Sequence, residues 1–62
     1  MTLDIRFADF NKEIGKWVFV YYLITDWGMR YSQKIEFVNK EKMLKYKQSL
    51  QKYVNEINQP SL

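Results

Sequence analysis

The sequence predicts an α+β domain: a three-stranded antiparallel sheet followed by one C-terminal amphipathic helix (βββα), with residues 1–62 forming a single small domain. Three observations carry the prediction. "WVFVYYLI", Trp17 to Ile24, is an unbroken apolar run of strand length, rich in the β-branched and aromatic residues that suit a pleated surface. "RYSQKIEFV" alternates, setting Tyr31, Gln33, Ile35 and Phe37 against Arg30, Ser32, Lys34 and Glu36, which is the pattern of a half-buried strand. Met43, Tyr46, Leu50, Tyr53, Val54 and Ile57 recur at helical spacing within an arc of about 100°, the width of a core-facing stripe.

The amino-terminal segment reads two ways. As a strand over about residues 2–9, Leu3, Ile5 and Phe7 alternate with Thr2, Asp4, Arg6 and Ala8. As a helix, Leu3, Phe7, Phe10 and Ile14 form a stripe, with Thr2 to cap its start and Gly15 its end, giving the alternative αββα arrangement. Ile5 discriminates, since a helix turns it to solvent and a strand buries it. A lone hairpin is marginal and a third strand relieves that, so the strand is preferred.

The second strand (16–25) and third (30–38) are joined by "DWGM", where Gly28 supplies the positive φ of a tight turn. The helix is expected over 40–57. Asn39 is its N-cap, with a side-chain oxygen placed to accept from a first-turn amide, and Pro60 marks its far limit.

Composition bounds the function. A chain of this length removes only about 60% of its unfolded surface from water, and such domains draw on disulfides, metals, oligomerisation or a partner for support. Cysteine and histidine are both absent. Disulfides and zinc sites built on those residues are therefore excluded, as are Ser–His and Cys–His nucleophile pairs. With two glycines there is no glycine-rich phosphate loop. No enzyme activity, no cofactor and no small-molecule substrate are expected. The apolar run is far short of the roughly 20 residues that span a bilayer, and "MTLDIRFADF" lacks a basic region followed by an apolar core. The expectation is a soluble cytoplasmic protein without a membrane partner.

A middle strand that is apolar on both sides poses the main problem. Trp17, Phe19, Tyr21 and Leu23 form one set, and Val18, Val20, Tyr22 and Ile24 the other. One helix covers one sheet face. Four partly covered side chains are worth several kcal/mol at about 1.5–3 kcal/mol each, against a total stability of about 3–9 kcal/mol for a domain this small. The uncovered set is thus expected to meet a protein partner, a second copy as a homodimer being the simplest. Against this stands self-covering by loops, the tail or long lysine and arginine stems. Trp27 and Met29, at a hairpin tip where small polar residues are usual, either anchor the same partner or fold back onto the helix. The expected interface is Val18, Val20, Tyr22, Ile24, Trp27 and Met29.

Charge supports a second reading. The net charge is +3, and all of the excess lies beyond residue 31. Lys40 and Lys42 sit in the first helical turn, where the macrodipole disfavours cations by about 0.3–1 kcal/mol each. Either that cost is tolerated on a solvated face or an anion is bound there. With Lys45, Arg30, Lys34 and Arg6, these residues are the candidates for a nucleic-acid site. At the level of architecture only, the arrangement resembles the small DNA-binding domains at the amino terminus of some tyrosine-type integrases and the AP2-type plant domains, whose sheets enter the major groove. No specific motif carries that likeness. The reading of first choice is a small regulatory protein that binds protein, for which an inhibitor or antitoxin role fits; a nucleic-acid module is the second.

Overall fold

In the computed structural model, which describes residues 1–59, the order is β1 (Thr2–Asn11), β2 (Lys16–Ile24), β3 (Arg30–Phe37) and α1 (Lys40–Asn58). The sheet is antiparallel with β2 in the middle. This is the βββα topology, and residues 2–11 take the strand option. Gly15, considered as a helix cap, instead closes the β1–β2 turn with φ of 66°. Its N–H donates to the Asn11 carbonyl at 2.8 Å, while the Asn11 side-chain oxygen accepts from Glu13 N–H at 2.9 Å.

The helix lies over the Trp17, Phe19, Tyr21 and Leu23 side of β2. Phe19, Tyr21 and Met43 are its buried centre, packed by Leu3, Ile5, Ile35, Phe37, Tyr46 and Leu50. Asn39 caps the helix as its residue type predicts, its Oδ1 accepting from Lys42 N–H at 2.9 Å. Gln59 is already extended, with φ −68° and ψ 136°; Pro60, the expected limit, lies outside the described residues. Met43 and Val54 are buried, whereas Tyr53 and Ile57, at the end or flank of the predicted stripe, remain exposed.

β1 departs from simple alternation. Ile5 pairs with Tyr21 and Phe7 with Val20, so Arg6 is an extra residue and the register shifts there. A bulge of this kind reverses the side-chain parity beyond it. Phe7, expected beside Leu3 and Ile5, therefore stands on the open face and is 45% exposed. Ala8 and Phe10 take the helix side instead, where the Phe10 ring meets Trp17 edge-on at 5.5 Å.

Candidate interaction surface

The open face of the sheet carries Val18, Val20, Tyr22 and Ile24 along β2, and most of that row is covered from within the chain. Val18, between Asp9 on β1 and Glu36 on β3, is only 3% exposed. Beside it Lys16 Nζ reaches Glu36 at 3.7 Å. The Tyr22 ring is flanked by two guanidinium groups, Arg6 from β1 at 5.4 Å and Arg30 from β3 at 5.3 Å from its centroid. Each such contact is worth about 0.5–1 kcal/mol at a partly exposed site, and the arginine stems cover apolar area while the charges stay wet. Val20 and Ile24 are half-buried. The expected continuous ridge is thus divided, with Phe7 its most open apolar member.

Exposed apolar side chains lie on the β1 side, at Phe7, Phe10 and Ile14, at Leu44 on the helix, and along the β3 margin, where the most exposed of them stand. Trp27, at the hairpin tip, is 77% exposed, and Met29 and Tyr31 are 50% and 53% exposed. Trp27 does not fold back onto the helix. The turn that holds it is well bonded: Thr25 N–H donates to the Met29 carbonyl at 2.8 Å, Gly28 N–H to the Thr25 carbonyl at 3.1 Å, and Met29 N–H to Thr25 Oγ1 at 3.0 Å. Gly28 takes φ of 89°, as the turn requires. Tyr31 Oη lies 3.8 Å from Met29 Sδ.

On the helix, Tyr53 and Ile57 are also exposed. The Tyr46 ring packs among Phe19, Tyr21 and Phe37, and Tyr53 follows it by two helical turns on the same side of the helix. At the far end of β3, Val38 is exposed as well. Sequence reasoning found Trp27 and Met29 but missed Tyr31, Val38, Tyr53 and Ile57. For Tyr31 the available signal is that β3 is an edge strand, so the end of its inward-facing row reaches past the helix.

The candidate anion-binding residues fall into two groups, one on each layer, rather than into one site. Arg6, Arg30 and Lys34 lie on the open face of the sheet, with Arg6 paired to Asp4 at 3.2 Å. Lys40, Lys42 and Lys45 belong to the helix, in the other layer. Lys40 Nζ sits 5.8 Å from the centroid of Trp17, and Lys45 Nζ is 3.5 Å from Glu41. Asn39 already occupies the Lys42 amide. Among the described residues there is no cluster of three or more potential metal-ligating side chains, and no helix long and apolar enough to cross a membrane.

Comparison with protein-family models, with curated proteins and with solved structures finds no match for this chain.

Proposed function

We propose that this chain is a small, non-catalytic protein-binding module of regulatory type, working in the cytoplasm and engaging its partner through the β3 margin, with Trp27 as the anchor. The observation that carries the reading is the display of a 77% exposed tryptophan on a bonded turn. Tryptophan is enriched among the side chains that dominate interface energies. A side chain held by a rigid turn loses little conformational freedom on binding. Met29 and Tyr31 enlarge the contact, and the charged residues around Tyr22 form a polar rim beside it. This moves the interface from the middle of the open face to its edge. A nucleic-acid reading has weaker support, because its cations are split between two layers and interspersed with Asp4, Asp9 and Glu36.

Photo-crosslinking in the producing cell tests the proposal. A photoreactive residue in place of Trp27 is expected to give discrete protein adducts that the same residue at Gln48, on the outward side of the helix, does not give. Identical or absent adducts at both positions would remove the reading.

A further inference from the structure

We infer that the partner is a second copy of this chain, joined by antiparallel pairing of two β3 edges about a two-fold axis at Gln33, so that two sheets become one of six strands. The inference rests on the β3 margin being the binding surface.

The first argument is the state of the two edges. β1 is blunted by its bulge at Arg6, which bends a strand and interrupts its outward hydrogen-bonding row. β3 has no bulge and no proline and runs in unbroken register from Arg30 to Phe37. The Thr25–Met29 bond starts the β2–β3 ladder. By alternation, Tyr31, Gln33, Ile35 and Phe37 bond inward to β2. The N–H and C=O groups of Arg30, Ser32, Lys34 and Glu36 then point outward, a regular template for one more strand.

Charge favours a second copy, and favours one register over its two neighbours. With Gln33 facing Gln33, Arg30 stands opposite Glu36 of the second copy and Glu36 opposite its Arg30, while Ser32 meets Lys34. Opposite charges are directly paired twice, and no like charges face each other. Sliding by two positions one way sets Arg30 against Lys34; sliding the other way sets Lys34 against Lys34. Both place like charges directly opposite.

The same register accounts for the exposed apolar residues at the two ends of β3, because antiparallel pairing brings opposite ends together. Tyr31 meets Ile35, Met29 meets Phe37, and Val38 comes against the turn that carries Trp27. A two-fold axis perpendicular to the sheet keeps both helices on one side. Three strand spacings of about 4.8 Å separate the two middle strands by about 14 Å. Packed helices lie about 8–10 Å apart, so helices riding over those strands leave a slot of side-chain width.

Sedimentation equilibrium with three variants tests the inference. Over about 1 to 100 µM, the natural chain is expected to move from its 7.6 kDa protomer mass toward twice that value. Arg30→Glu alone and Glu36→Arg alone, each shown to be folded by circular dichroism, should self-associate at least about tenfold more weakly, because each sets like charges opposite one another twice. An equimolar mixture of the two should recover the natural affinity, since every mismatch becomes a match. Gln33→Cys, the one thiol in a chain with no cysteine, should form a disulfide-linked dimer on mild oxidation, and Ser32→Cys should not. A folded natural chain that stays at protomer mass throughout would overturn self-pairing, as would a mixture no tighter than its components. In that event, a Trp27 photo-adduct with a different protein preserves the binding reading, and the absence of any adduct removes both.

Discussion

The hydroxyls of Tyr21 and Tyr46 lie 2.8 Å apart, joining the central strand to the helix by a side-chain hydrogen bond inside the core. Tyr21 is buried, and its phenol is pushed up to about 12, first by that burial and then by Tyr46. A raised pKa means that folding favours the neutral phenol. The stabilisation is fully present below the unfolded value near 10 and is lost as pH rises through about 12. Urea titrations should therefore show stability falling across that window. In Tyr21→Phe the fall should be shallower, at a cost near neutral pH of about 0.5–1.5 kcal/mol for the lost bond.

Ile5 and Phe7 should respond differently to truncation, although plain alternation puts them on one face. Ile5 packs against the core under the helix, and Phe7 stands half-open beyond the bulge. Ile5→Ala is expected to lower stability by about 2 kcal/mol, and Phe7→Ser by no more than about 1 kcal/mol. Equal losses in chemical denaturation would mean that the bulge at Arg6 does not form.

On the middle strand, the two side-chain sets should separate sharply. Phe19 is fully buried, and Phe19→Asp places a charge against the helix with nothing to pair it. Since total stability is about 3–9 kcal/mol, the cooperative unfolding transition should disappear. Val20→Lys, on the open face, should retain that transition with a lowered midpoint. Circular dichroism during thermal melting distinguishes the two.

Trp27→Ala should leave stability within about 0.5 kcal/mol of the natural chain, because so exposed a side chain contributes little to the isolated fold. Thr25→Val removes the hydroxyl that accepts from Met29 N–H and should cost about 1 kcal/mol. A Trp27 variant that melts early would show that the ring packs on the body of the protein. A Thr25 variant that melts unchanged would show that the turn is not held by that hydroxyl.

The elements were legible in the sequence because their periods are clean: two in β3, three to four in the helix, and an unmixed run in β2. Asn39 and Gly28 were legible because each supplies what a specific backbone position requires. The fate of Phe7 was not, since the bulge shows only in the strand pairing and Arg6 looks like an ordinary outward residue. The sequence offers self-covering of the open face only as an alternative. It depends on Arg6 and Arg30 meeting over Tyr22, and Arg6 is itself the bulged residue. The exposed Tyr53 is hidden by an arc wide enough to include it.

Amide hydrogen exchange along β3, read residue by residue at several protein concentrations, tests most directly whether this edge is where the molecule binds. The expected result is that Tyr31 and Gln33, bonded inward to β2, are protected at every concentration. Ser32 and Lys34, whose amides point outward, should become protected only as the mass rises. Rapid exchange at Ser32 and Lys34 in a sample already associated would contradict the account, because contact would then be made by some other surface.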